Sequence, residues 1–260
     1  MKLINPTTLE GWLQPHSIQW YKQLSEIQGK YIYPWSSTLT EPNGESIFDK
    51  AVAQIIANKK VLDVGCGHGE FTHQCSLVAK EIVGFDVTDH FIKQARIKNK
   101  KSNVSFVVGN TKNALPFEAD EFDCAYIRKG PTSAYSSLNK VIKKNGEIIG
   151  LHPGDESGKE LSLLFPNLFE YSQGTPILDA INQRLDINNF SNSKIEVINS
   201  VEYIRSPLDI LKLRCFGQHT SIYETLKEKN LDEIAKTFEQ NATVDGLPIT
   251  FSRYIVRSTV

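Results

Sequence analysis

The chain has 260 residues, of which 40% are hydrophobic and 23% charged, with a net charge of −1 and four cysteines. These values describe a globular protein of one large domain with room for an accessory segment, and they exclude fibrous, disordered and disulfide-scaffold classes. No apolar run approaches the ~18 residues of a membrane span, and a basic bias of the kind that marks nucleic-acid binding is absent overall.

Residues 1–58 contain no convincing strand and are expected to form a helical cap. They hold all three tryptophans, Trp12, Trp20 and Trp35, the cluster from Tyr31 to Trp35, and a turn at Pro42-Asn43-Gly44. From Glu45 to Ala57 the apolar residues Ile47, Phe48, Ala51, Ile55 and Ile56 fall near helical spacing. Strand and helix then alternate. Strands are predicted at 61–64, 81–86, 104–108, 122–127 and 147–152, and helices at 70–79, 89–99 and 132–143. Asp89 is placed to cap the second of these helices, and Asn145-Gly146 to turn the chain before the fifth strand. Such alternation implies a parallel sheet, doubly wound, whose post-strand turns share one edge. After Pro153 the pattern loosens. Helices are predicted at 161–169, 176–185, 207–216 and 222–238, with strands at 195–204 and 249–260. The last of these strands, alternating apolar and polar residues, is expected to be antiparallel. An insertion or lid is placed at 153–192, within a main domain spanning 59–260.

The run from Val61 to Thr72, VLDVGCGHGEFT, is the most informative in the chain. A short apolar strand carries the acid Asp63, and Gly65, Gly67 and Gly69 follow at alternate positions before a helix. Glycines allow a tight turn and close approach of a ligand. A dinucleotide site calls for G-x-G-x-x-G; here Glu70 stands where the last glycine of that pattern is required. This segment resembles the first motif of class I S-adenosylmethionine-dependent methyltransferases, which reads like D-x-G-C-G-x-G. The resemblance covers about residues 45–152. It implies a Rossmann-like, mostly parallel seven-stranded sheet, S-adenosyl-L-methionine as cofactor and S-adenosyl-L-homocysteine as product.

Carried over residue by residue, the resemblance gives the cofactor loop as Asp63, Gly65, Cys66, Gly67 and Gly69. Cys66 stands at a common Cys or Ser position and reads as a small packing residue. Asp86, with Val87 beside it, ends the second strand about 20 residues past the loop, where an acid accepts from both ribose hydroxyls. Asn110 and Thr111 follow the third strand, where the family often carries G-D-A. Asn110 reads either as an acceptor for the adenine amino group or as a turn residue. Leu115-Pro116-Phe117 also resembles the family. The fourth strand ends at Arg128-Lys129-Gly130-Pro131 instead of the [DNS]-P-P-[YF] of exocyclic-amine methyltransferases, which disfavours that chemistry. Arg128 either grips a substrate carboxylate or phosphate, at the edge that also takes the cofactor, or forms a structural salt bridge. His152, at the end of the fifth strand, is either a general base or a turn-bonding histidine. Tyr33, within the aromatic cluster, either shields the cofactor sulfonium or helps staple the cap. Neither Cys66 nor Cys124 has the setting of a cytosine-5 methyltransferase nucleophile.

The basic run Lys93, Arg96, Lys98, Lys100 and Lys101 reads first as a solvated helix end. Methylation of a small molecule on oxygen or nitrogen is therefore expected. An RNA base is the second acceptor class, although residues 1–58 lack the zinc module of a similar ribosomal RNA methyltransferase family. A non-catalytic protein that binds S-adenosylmethionine is the third. No metal site is expected, since the cysteines form no C-x-x-C pair. The first twelve residues lack a signal-peptide core, so the expected location is cytoplasmic.

Overall fold

The computed structural model describes residues 3–171, 173–188 and 190–260. The first two residues of the N-terminal extension and positions 172 and 189 of the segment after Pro153 lie outside the described residues. In chain order the elements are α1 (Ile18–Gln28), β1 (Ser37–Leu39), α2 (Gly44–Ile55), β2 (Lys60–Val64), α3 (Glu70–Cys75), β3 (Glu81–Asp86), α4 (Asp89–Lys98), β4 (Val104–Val108), β5 (Phe122–Arg128), α5 (Tyr135–Val141), β6 (Ile142–Pro153), α6 (Lys159–Leu164), α7 (Pro176–Ile187), β7 (Ser191–Ile204), α8 (Pro207–Arg214), α9 (Thr220–Asn241) and β8 (Leu247–Thr259). They form two compact units. The first comprises Met1–Glu41, Glu156–Gly174 and Asn199–Ser252, and the second Pro42–Asp155, Thr175–Ile198 and Arg253–Val260.

The first unit is mainly helical. Its core gathers Leu161 and Phe165 with Ile210 and Leu211, and with Ile222, Leu226, Ile234 and Phe238 at helical spacing along α9. Each fully buried side chain of this kind contributes about 1.5–3 kcal/mol. Trp20 is almost wholly buried, and its indole Nε1 donates to the Phe216 carbonyl at 2.9 Å. Gly217, at φ 72°, leaves room for that indole. The expectation of no strand in residues 1–58 is corrected by β1, which pairs antiparallel with β7 from Ser37↔Ile204 to Leu39↔Glu202. Three residues of mixed polarity carry no alternation to detect; the partner strand 165 residues away supplies their hydrogen bonds.

Among the described residues the sheet has eight strands, in the order β1-β7-β8-β6-β5-β2-β3-β4, one more than the seven expected, because β1 adds to the edge strand β7; β2 to β6 lie wholly in the second unit, with residues 191–198 of β7 and 253–259 of β8. The pairs β2–β3, β2–β5, β3–β4 and β5–β6 are parallel, and β8 runs antiparallel to β6. This is the doubly wound sheet with an antiparallel last strand. The strand order reverses on either side of β2, so the loop after β2 lies at a topological switch point. Period-two alternation divides the core between two faces. Leu62, Val64, Val83 and Phe85 pack with Tyr135 and Leu138 of α5 and Ile181 of α7. Val61, Ile82 and Tyr126 pack with Phe48 of α2 and Ile92 of α4.

Most boundaries agree with the sequence, and β3 and β4 match it residue for residue. Two details differ. β6 begins at Ile142, because the Lys143–Gly146 stretch is a bulge inside the strand; the register jumps from Phe122↔Ile142 to Cys124↔Glu147. The helix ending there is correspondingly short. Thr88, not Asp89, is the N-cap of α4, and Asp89 occupies the first turn. The 153–192 segment is divided: Glu156–Gly174 goes with the first unit and Thr175 onward with the second. Among the described residues no helix is long and apolar enough to cross a membrane.

Candidate functional site

Parallel pairing brings the C-terminal ends of β2, β3, β5 and β6 to one edge of the second unit, and the turns that leave them form the site. The chain leaves β2 through Gly65, φ 80°, Gly67, φ 54°, and Gly69, φ 79°. The Gly65 and Cys66 N–H groups donate to the Phe85 carbonyl, at 2.7 and 3.2 Å, which folds the loop over the end of β3. A Cβ on Gly69 would strike the Phe106 ring at 2.7 Å, whereas one on Gly67 would meet nothing within 4 Å. Gly69 is thus required by packing, while Gly67 presents bare backbone to open space.

Asp86 answers this opening. Its Oδ2 accepts the Gly67 N–H at 2.9 Å and its Oδ1 the Thr88 N–H at 2.8 Å. Each carboxylate oxygen has a second lone pair, so these bonds orient the group without exhausting its capacity to accept. Burial raises its pKa, against the pull of the backbone N–H groups of Thr88 and Gly67. Val87 beside it leaves an apolar side chain 36% exposed. After β4, Asn110 Oδ1 accepts the Lys112 N–H at 2.9 Å, an Asx turn. The Thr111 hydroxyl lies 2.7 Å from that of Ser133, linking the turns after β4 and β5. Around the loop Asp86 thus offers carboxylate lone pairs, Val87 an apolar surface, Asn110 and Thr111 a polar turn, and Gly67 bare backbone.

Asp63 points inward, not to the opening. It is 2% exposed, and its Oδ2 accepts from Thr72 Oγ1 at 2.6 Å and Tyr126 Oη at 2.8 Å. Burial is the largest cause that pushes it up to about 7, with Asp86 adding to the rise, against those two hydrogen bonds and Arg128. Burial likewise pushes the Cys66 thiol well up and the Cys124 thiol to about 12, so neither is poised as a thiolate.

Of the two readings of Arg128, the structure contains the ion pair. Its Nε and Nη2 make a two-pronged contact to Asp49 at 2.8 and 2.9 Å, and the guanidinium lies 4.7 Å from the Phe71 ring centre. Lys129 adopts φ 61°, uncommon for a side-chain-bearing residue, and its Nζ lies 2.7 Å from Glu45. Nearby Lys129 and Arg253 hold the Glu45 carboxyl below the usual range, overcoming the burial that would raise it. His152 is 1% exposed, its Nε2 is 3.0 Å from Tyr135 Oη, and burial lowers it to about 4. Gly150 is required here, since a Cβ would lie 2.8 Å from that Nε2. Tyr33 belongs to the first unit, where it stacks on Trp35 at 4.4 Å.

Sequence reading missed Glu45, Asp49, Thr72, Tyr126 and Tyr135. Glu45 and Asp49 stand four apart on a predicted helix, a same-face signal that was available. Tyr126 carried none, because its pairing with Asp63 follows from the β2–β5 register. In the basic run, Lys93 pairs with Asp89, Arg96 donates to the Phe106 carbonyl, and Lys101 reaches the His73 carbonyl and Ser76.

Residues 55–161 match a methyltransferase domain family. The chain is 25% identical over 185 residues to malonyl-(acyl-carrier protein) O-methyltransferase of Legionella pneumophila, covering 67% of this chain and 65% of that protein. It is 36% identical over 110 residues to sterol 24-C-methyltransferase of Debaryomyces hansenii, covering 38% of this chain and 29% of that protein. The matches thus span less than two thirds of these relatives' own lengths. Its fold is similar to that of a functionally unknown Deinococcus radiodurans R1 protein, with a TM-score of 0.61 at 19% identity, covering 93% of this chain and 99% of the other.

Proposed function

We propose that this chain, whose residues 55–161 match a methyltransferase domain family, is a class I S-adenosylmethionine-dependent methyltransferase that methylates a small molecule on oxygen or nitrogen. The observation that carries the reading is the open backbone at Gly67 with its N–H fixed to Asp86. Gly65 and Gly67 offer backbone to the methionine portion of the donor, Asp86 accepts from the ribose hydroxyls, and Val87, Asn110 and Thr111 border the adenine. Asp63 and Cys66 shape the loop from within. When bound, S-adenosylmethionine supplies an electrophilic methyl group open to in-line displacement.

The protein's own part is chiefly to hold an acceptor collinear with that methyl, so that proximity and orientation supply much of the rate. His152, enclosed and neutral near pH 7, holds the end of β6 through Tyr135 and acts as a positioning residue. Arg128 does the same for α2 through Asp49. A small acceptor is supported by a relative named for a sterol substrate, and two members of the basic run, Arg96 and Lys101, are engaged by the protein's own carbonyl and hydroxyl groups.

Titration calorimetry with S-adenosylmethionine tests the cofactor reading: binding is expected for the wild type and loss of it for Asp86→Ala. Transfer of labelled methyl from the donor into fractionated cell extract tests the acceptor. Label in a ribonuclease-sensitive fraction would replace the small molecule by RNA, and binding without transfer would indicate a non-catalytic sensor.

A further inference from the structure

The chain leaves α3 and α4 at the edge of the second unit from which β3 and β4 start, opposite the glycine loop. The two departures are clasped together. Lys101 Nζ donates to Ser76 Oγ at 2.6 Å and to the His73 carbonyl at 3.1 Å. Asn103 Nδ2 donates to the Ser76 and Ala79 carbonyls at 3.0 and 3.2 Å. Leu77 and Ile97 are 77% and 68% exposed there, and Val78 is exposed beside Leu77. One bare aliphatic side chain is ordinary; here three accompany a concentration of a single charge. The sequence has no acid between Glu70 and Glu81 or between Asp89 and Glu118. Arg96 donates to the Phe106 carbonyl, so it and Lys101 bond to uncharged groups and keep their charge. Among the described residues Lys80, Lys98 and Lys100 have no side-chain partner. Lys59, Lys60 and Lys93 differ, being paired with Glu147, Glu121 and Asp89. Glu81, which follows Lys80, is 3.6 Å from Lys60.

We propose that this edge is a docking surface for an anionic lipid bilayer. Lys80, Lys98 and Lys100 meet the negative headgroups, and Leu77, Val78 and Ile97 enter the boundary with the acyl chains. Charge complementarity carries the choice of partner. Nucleic acid would use the lysines but leave the aliphatic side chains idle, and single strands call for aromatic stacking platforms. A stable protein partner calls for about 800 Å² on each side with a well-packed apolar core, which three aliphatic side chains do not supply. A bilayer needs neither; it sums weak terms, each lysine adding roughly fivefold in affinity. Attachment here leaves the glycine loop, at the far ends of the same parallel strands, turned away from the bilayer. The proposal is therefore independent of what that loop binds.

Flotation of the full chain with vesicles tests it. Binding is expected to phosphatidylcholine–phosphatidylserine vesicles at a ratio of about 2:1, at least roughly tenfold above that to phosphatidylcholine alone. It is expected to weaken as salt is raised. The double variant Lys98→Glu, Lys100→Glu is expected to lose about tenfold or more in partitioning, with its urea midpoint unchanged. Leu77→Ser with Ile97→Ser is expected to lose several-fold while the salt dependence persists; should this pair fail to fold, the lysine pair decides. Equal binding to the two kinds of vesicle, binding to neither, or partitioning unchanged in the folded lysine variant overturns the proposal. Retention on immobilised polyuridylate or polyglutamate without vesicle binding also overturns it, and assigns the surface to RNA or to an acidic protein.

Discussion

Gly65 and Gly130 meet back to back, so that a Cβ on Gly65 would lie 2.8 Å from the Gly130 Cα. The reverse holds as well, since a Cβ on Gly130 would reach the Val64 carbonyl at 2.6 Å. The loops after β2 and β5 therefore touch through bare backbone at the switch point of the sheet. A side chain would meet something different at each glycine of the opening motif: the facing loop at Gly65, the Phe106 ring at Gly69, and open space at Gly67.

That difference separates their alanine variants. Gly65→Ala adds a backbone clash to a left-handed conformation that costs about 1–2 kcal/mol on its own, so stability is expected to fall by about 2 kcal/mol or more. Gly67→Ala meets no neighbour and is expected to lose about 1 kcal/mol while losing donor affinity disproportionately. Urea denaturation and calorimetry on both variants check this. Equal losses of stability would contradict the assignment.

Tyr135→Phe removes the hydroxyl that meets His152 Nε2 inside the core. A buried polar atom left without its partner costs about 1–3 kcal/mol. Denaturation midpoints are expected to fall accordingly, with donor affinity unchanged by calorimetry. A large loss of affinity with little loss of stability would instead give this pair a direct role in binding.

Arg128 and Asp49 are 25% and 35% exposed at their side chains, so solvent screens their attraction. A double-mutant cycle with Arg128→Met and Asp49→Asn is expected to return a measurable coupling of about 0.5–1 kcal/mol. A negligible coupling, together with restored affinity for carboxylate or phosphate compounds in Asp49→Asn, would favour the anion-gripping reading of Arg128.

Asp63 and His152 pull the pH dependence of stability in opposite directions. Burial lifts Asp63 from 3.8 to about 7, so between those values the folded state holds a proton that the unfolded chain releases. Its contribution to stability is lost as pH rises through that window. Burial lowers His152 from 6.5 to about 4, so the unfolded chain holds the extra proton and stability rises with pH between about 4 and 6.5. Opposing slopes flatten the wild-type profile. Asp63→Asn is expected to expose the rising limb between pH 4 and 6.5 in denaturation series; a profile that stays flat in that variant would contradict the assignment.

The sheet was legible because its signals are local. Each parallel strand is a short apolar run ended by a turn residue, and β3 and β4 needed nothing beyond that to be bounded. Asp86 was legible for the same reason: it closes a strand a fixed distance after the loop. β1 was not, because a three-residue edge strand draws its identity from a distant partner. The role of Arg128 stayed open until α2 supplied Asp49, since a cation at a strand end looks the same with or without an acid beside it.

By itself the sequence determined the alternation of the parallel strands with their helices and the position of the glycine loop, since these depend on backbone freedom and on apolar spacing within a few residues. Tertiary structure alone decided what the charges do. Asp63 faces Tyr126 because β2 and β5 are neighbours in the sheet though 63 residues apart in the chain. Burial then sets both protonation states, raising Asp63 and lowering His152, because the energy of a charge depends on the solvent and partners that the fold leaves around it.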